Sequence, residues 1–338
     1  MKQMETGKRS GKYIFIIGLI LLVQTSFVFA AEDIVGSWQI TMDFNGRQMM
    51  ATLTITKNED GTLSGKWGSG DLSNVKFEDG KLTFQRTTRM RDEDMTSDFS
   101  GTLKDGVITG TMSNDFGDMD VKAVRKKPKC PALGQWDINF SVGDMDIEAK
   151  LTISQTKEGK LEGKWTESMG EHKVSDIKFE DGKLTLTRKS KIEDMEFESN
   201  FTGTIKDNEL TGTLSSDMGD IPIKAKRFGT ALIGTWELTT TSDFGTRTSM
   251  LVIDPDMTGT YETFGGEVPI KDLKLDGDQV TFGIEMGFGD RTFKMDFKGK
   301  LDGKAIKGVM SSERGDDDVT GKKIEKKVEE KKTESTSM

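Results

Sequence analysis

Apolar and polar residues alternate with a period of two through the middle of this chain. Trp136, Ile138, Phe140 and Val142 are interleaved with Asp137, Asn139 and Ser141, and Ile147, Ala149, Leu151 and Ile153 with Glu148, Lys150 and Thr152. A strand sends successive side chains to opposite faces, so each run predicts a strand with one buried and one wet face. The same alternation recurs in Leu161, Gly163, Trp165; Ile177, Phe179; Leu184, Leu186; Phe201, Gly203, Ile205; Leu210, Gly212, Leu214; and Ile221, Ile223, Ala225. The runs are separated by short Gly/Asp/Glu/Lys turns, which force sequential antiparallel neighbours, because a parallel crossover needs a dozen or more residues. No stretch of the three repeats carries a helical period.

The pattern is written three times. Gly36-Ser37-Trp38, Gly134-Gln135-Trp136 and Gly234-Thr235-Trp236 open successive copies, and the segments 103–118, 205–220 and 301–316 align within them. A period near 100 residues exceeds that of a solenoid unit and means three copies of one domain. The expected division is a signal peptide over 1–30, barrels over 31–127, 132–228 and 231–320, and a disordered charged tail over 321–338.

Eight short antiparallel strands with one apolar face close into an up-and-down barrel, which leaves no free edge. The fold expected is therefore all-β, three tandem eight-stranded antiparallel barrels. Gly65, Gly101, Gly110, Gly163, Gly203 and Gly212 stand where apolar side chains are expected, as crowding inside a narrow barrel requires. A two-sheet sandwich could use the same strands, but the connections read as a meander without a long crossover.

A Gly-x-Trp on the first strand of such a meander resembles the lipocalin, fatty-acid-binding-protein and avidin (calycin-type) barrels. That resemblance implies that Trp38, Trp136 and Trp236 each close one barrel end beneath a basic residue from the end of the copy. Arg125 and Arg227 stand there in copies one and two, and Lys322 and Lys323 in copy three. Thr258-Gly259-Thr260-Tyr261-Glu262 is similar to the avidin third strand. The polar set that contacts biotin in avidins is absent from GTWELTTTSD, which argues against biotin.

In a meander, alternate turns share an end. Turns after the even strands are uniformly charged, as in Glu59-Asp60-Gly61 and Glu78-Asp79-Gly80. Turns after the odd strands carry Phe44, Met95 and Phe116 in copy one, Met145, Met169, Met195 and Met218 in copy two, and Phe244, Phe264 and Phe288 in copy three. In the families resembled, that is the ligand-entry end. An adaptable Met/Phe surface with an acidic rim suits small apolar ligands. The competing expectation is that these side chains fold inward and plug the mouth.

Composition narrows the function. A basic start (Lys8, Arg9, Lys12), an apolar run over 13–23 and Val28-Phe29-Ala30 before Ala31 read as a secretory signal, placing the protein in the periplasm or outside the cell. A retained anchor is the rival, but the run is interrupted by Gln24-Thr25-Ser26 and no span is expected after cleavage. Removing Lys2, Lys8, Arg9 and Lys12 with Glu5 takes the net charge from −9 to −12, which disfavours nucleic acid and anionic lipid as partners. The single cysteine, Cys130, allows no internal disulfide. The single histidine, His172, reads as a solvated turn residue. Acid clusters at Asp115, Asp118, Asp120 and at 316–318 lack the ordered spacing of a calcium loop, so neither a metal nor a cofactor is expected. No catalytic constellation recurs in the copies. The expectation is a non-enzymatic binding protein for small apolar ligands at the Met/Phe tips. The alternative is a scaffold whose filled barrels meet a protein or glycan.

Overall fold

The computed structural model describes residues 34–44, 47–90, 93–168, 171–192, 195–242, 245–263, 266–288 and 291–324. The expected signal segment lies outside them. Copy one supplies β1 (Gly36–Phe44), β2 (Arg47–Lys57), β3 (Leu63–Trp67), β4 (Gly70–Glu78), β5 (Lys81–Met90), β6 (Glu93–Lys104), β7 (Val107–Asn114) and β8 (Gly117–Arg125). Copy two supplies β9 (Gly134–Val142), β10 (Met145–Gln155), β11 (Leu161–Glu167), β12 (Glu171–Glu180), β13 (Lys183–Ile192), β14 (Met195–Lys206), β15 (Glu209–Ser216) and β16 (Gly219–Arg227). Copy three supplies β17 (Gly234–Ser242), β18 (Gly245–Ile253), β19 (Gly259–Thr263), β20 (Gly266–Asp276), β21 (Gln279–Phe288), β22 (Arg291–Asp302), β23 (Ala305–Ser312) and β24 (Gly315–Ile324).

Every paired neighbour is antiparallel, and each copy is a meander whose first strand pairs with its last. Barrels 1 and 3 close completely; barrel 2 has the same order but no ladder between β11 and β12 among the described residues. The last strand runs on through Gly321–Ile324, past the expected boundary at 320. It continues because Lys323 pairs with Trp236 on β17 and its ammonium lies 5.6 Å from the indole centroid.

The three interiors are packed with the alternate residues that the period of two selected. Phe84 stacks on Phe99 at 4.6 Å and Phe282 on Phe297 at 4.8 Å, while barrel 2 pairs Leu186 with Phe201 at the same place. In each barrel two glycines face one another beside that phenylalanine: Gly101 and Gly110, Gly203 and Gly212, Gly299 and Gly308. A Cβ on Gly212 would stand 2.4 Å from the Thr202 carbonyl oxygen and 2.5 Å from the Gly203 Cα. One on Gly101, Gly203 or Gly299 would meet the ring of Phe99, Phe201 or Phe297 at 2.5 Å. The phenyl ring therefore lies over backbone, filling the volume that two side chains would have taken. A register shift between Ser73 and Lys76 recurs at Ser175/Lys178 and Lys271/Lys274, with Asn74, Asp176 and Asp272 in the left-handed region (φ 54, 54 and 51). Asn and Asp tolerate that conformation better than other side chains do, so each copy bends its fourth strand at the same place.

The barrels touch. Glu267 of β20 accepts bonds from the Thr52 amide (2.7 Å) and hydroxyl (3.0 Å) of β2, and Glu262 of β19 accepts from the Ser69 amide (2.9 Å). From the first linker, Lys129 reaches Asp254 (3.0 Å), Asp256 (2.8 Å) and the Thr258 hydroxyl (2.6 Å) of barrel 3. A cleft of about 700 Å³ lies between barrels 2 and 3 beside this clamp, lined by Ile153, Phe228, Met257 and Leu275 among others.

Two outcomes are expected. Gly212→Ala should lower the stability of barrel 2 by about 1–3 kcal/mol, the usual cost of overpacking, read by thermal unfolding. Burial raises the Asp256 carboxyl, but the Lys129 and Thr258 bonds outweigh it, and the net direction is below the ordinary 3.8. A depressed carboxylate stabilises above its unfolded value and loses that contribution as pH falls through the folded one. The melting difference between the wild type and Asp256→Asn should therefore be present at pH 7 and vanish below 3.8.

Candidate functional site

Each barrel has a closed lower end, where the chain enters and leaves, and an upper end carrying the turns after the odd strands. At the lower end the Trp38, Trp136 and Trp236 indole N–H groups donate to the carbonyls of Ile34, Ala132 and Leu232, at 2.9, 2.9 and 2.7 Å. The Arg125 guanidinium lies 4.4 Å from the Trp38 centroid and that of Arg227 4.0 Å from Trp136. Arg227 also donates to the Leu133 carbonyl and to Asn208 (2.9 Å), and burial pulls its pKa down to about 10. These bonds and ring contacts tie the first strand to the last, so they close the barrel.

The upper end is different. Phe116 (85% exposed), Met218 (76%), Met145 (56%) and Met195 (57%) stand in solvent, and Met95 is half-buried. Exposure overturns the plug expectation for the first four: these residues sit at the hairpin positions themselves, where the backbone turns outward and the side chain cannot reach the axis. Met169, Phe244 and Phe264 lie outside the described residues. So do the side chains of Phe44 and Phe288, whose backbones end β1 and β21.

Beneath the methionines of barrel 2 lies a buried polar cluster that the sequence reading missed. His172 is a correction: its side chain is 1% exposed, not solvated, because inward-facing Glu167, itself 4% exposed, takes its Nε2 at 2.9 Å. The other ring nitrogen, Nδ1, lies 2.9 Å from the Ser190 hydroxyl. The carboxylate carries no proton to give, so Nε2–H is the donor to Glu167. The second Glu167 oxygen accepts the Trp165 indole N–H (2.9 Å) and an Arg188 Nη1–H (3.4 Å). Arg188 is nine-tenths buried over Trp165, 4.8 Å from its centroid, and its Nε has no hydrogen-bond partner. Burial lowers the Arg188 pKa and the Glu167 charge opposes that shift. The cluster joins β11 to β12, neighbours with no ladder between them among the described residues.

Matching positions show that the cluster belongs to barrel 2 alone. Barrel 1 keeps the cation and its ring, with Arg86 5.2 Å from Trp67, but has Ser69 and Gly70 where barrel 2 has Glu167 and His172. Burial lowers the Arg86 pKa and Glu262 of barrel 3 raises it, so its counter-charge comes from another barrel. Barrel 3 replaces Arg188 with Ile284 and His172 with Val268. The available signal was the pairing of Trp165-x-Glu167 with a histidine on the far side of the same hairpin. No single-sequence rule separates that from turn polarity.

Among the described residues no group of three or more His, Cys, Asp and Glu side chains is placed to hold a metal ion, and no helix is long and apolar enough to cross a membrane. Removing Glu167 would leave Arg188, the Trp165 N–H and His172 without their shared acceptor. Glu167→Ala is expected to cost barrel 2 about 3–5 kcal/mol, as for other broken buried pairs. Lys189→Ala, at an exposed pair with Glu198 (3.1 Å), should cost under about 1 kcal/mol. Denaturant unfolding of the two variants compares them directly.

No protein-family model matches the chain, and no curated protein matches it in sequence. Among solved structures, a provisional outer membrane protein from Bacteroides fragilis is 14% identical, with 57% of this chain and 96% of that one covered, at a TM-score of 0.23. Transferrin binding protein B is 11% identical in a double mutant from Haemophilus parasuis and 10% in the form from Neisseria meningitidis. Each covers 86% of this chain and 76% of its own at a TM-score of 0.20. Overlaps of this size assign neither a family nor a partner.

Proposed function

We propose that this chain is a non-catalytic, extracytoplasmic binding protein that takes small apolar molecules at the upper end of barrel 2. The observation that carries this reading is the exposure of Met145, Met195 and Met218 on successive upper hairpins of one barrel. Exposed apolar side chains cost solubility unless something covers them, and flexible thioethers adapt to varied shapes. Below them the interior is filled by Phe140, Trp165, Leu186, Phe201 and Leu214, so the ligand lies on the tips rather than deep in the lumen. The basic start and apolar run before Ala31 support a place outside the cytoplasm. Nothing in the cluster supplies a free nucleophile to solvent, since Ser190 is buried.

A second reading follows from the same packed interiors: filled barrels present their tips to a protein or glycan. The test is titration with the neutral fluorophore N-phenyl-1-naphthylamine. Saturable binding by the wild type, weakened at least about ten-fold in Met145→Ser/Met195→Ser/Met218→Ser, is expected from the loss of three apolar contacts. Absence of binding, or binding unchanged in the triple variant, would reject the small-ligand reading in favour of a macromolecular partner.

A further inference from the structure

We propose that barrel 2 selects apolar molecules bearing an uncharged oxygen acceptor, a ketone, ester or amide carbonyl, and that Arg188 Nε–H is the donor that reads it. The inference rests on the ligand-binding reading above and adds the chemical class.

Hydrogen-bond accounting within the cluster leads to it. Glu167 takes the His172 and Trp165 N–H groups and one N–H of Arg188, and His172 Nδ1 pairs with the Ser190 hydroxyl. The surplus is a donor, since Arg188 Nε is buried and bonded to nothing. An unmade bond to a buried charged donor is expensive, so an acceptor brought to it is held more strongly than the same contact in water would be. The cluster sits toward the upper end of the barrel, with Arg188 on β13 opposite Val174 of β12 and Ser199 of β14. The exposed methionines stand at the same end of the barrel, where an apolar body can rest.

Charge decides between a carbonyl and a carboxylate. The groups facing the site are Glu167 from β11, His172 from β12 and Arg188 from β13, while Lys189 projects into solvent from the outer wall. The Glu167 carboxylate and the Arg188 guanidinium cancel. A neutral acceptor satisfies the spare donor and leaves that balance intact. An anion would add a buried charge with no partner of its own, which costs more than the single bond returns. Neither of the other barrels can do the same: barrel 3 has Ile284 at the Arg188 position, and the short β3–β4 turn of barrel 1 is occupied by Glu262.

The experiment is displacement of N-phenyl-1-naphthylamine at pH 8 by 2-decanone and by decanoate, which share a ten-carbon chain. The ketone is expected to displace the probe at a concentration about ten-fold lower, the discrimination one hydrogen bond to a charged donor provides. Arg188→Met/Glu167→Gln removes the donor and its counter-charge together, which guards against misfolding from an unpaired Glu167. It should bind the probe and lose the preference. Equal displacement by ketone and carboxylate in the wild type, or a preference that survives in the double variant, overturns the proposal while leaving apolar binding standing. If the probe does not bind the wild type at all, the ligand-binding reading itself fails and this one with it.

Discussion

Closure at the lower end is the constraint on which the rest of the structure depends. In each copy the first-strand tryptophan is held by its N–H to a carbonyl four residues earlier and covered by a cation from the last strand. That contact joins the two ends of the meander, so the first and last strands pair and no edge is exposed. It also brings the entering and leaving chain to the same end. Short linkers such as the one at Lys129 then suffice to join successive barrels, and the barrels must touch. The upper ends, relieved of any closing role, are free to differ.

They differ in where the counter-charge of a buried arginine comes from. Barrels 1 and 2 both lay an arginine over a second tryptophan, and a buried guanidinium needs an anion nearby. Barrel 2 supplies its own in Glu167, and with it acquires the histidine bridge from β11 to β12. Barrel 1 has Ser69 at the Glu167 position and is served by Glu262 of barrel 3. The same substitution pattern thus makes one barrel a self-contained polar chamber and ties the other two together. Barrel 3 abandons the device and fills the position with Ile284, which is fully buried.

The architecture was largely legible. Strand number, order and faces follow from alternation and turn length, because both are local properties of the backbone, and the three copies reinforce one another. Inward glycines could be marked as places without room, though not that they face each other beneath a phenyl ring, since that needs the register between strands. His172 was misread for a related reason. A histidine next to a hairpin looks wet when only its chain neighbours are considered, and it is the fold of β11 against β12 and β13 that seals it beside Glu167 and Ser190.

By itself, then, the sequence determined the repeat, the strand period, the two chemically distinct ends and the residues at the tips, all of which are set by side-chain type and spacing along the chain. Only the tertiary structure decided which tips face solvent, which barrel buries a histidine beside a glutamate, and that one arginine is left with a donor unspent. These depend on who meets whom across strands and between barrels. Burial and hydrogen-bond balance are properties of that meeting rather than of any residue on its own.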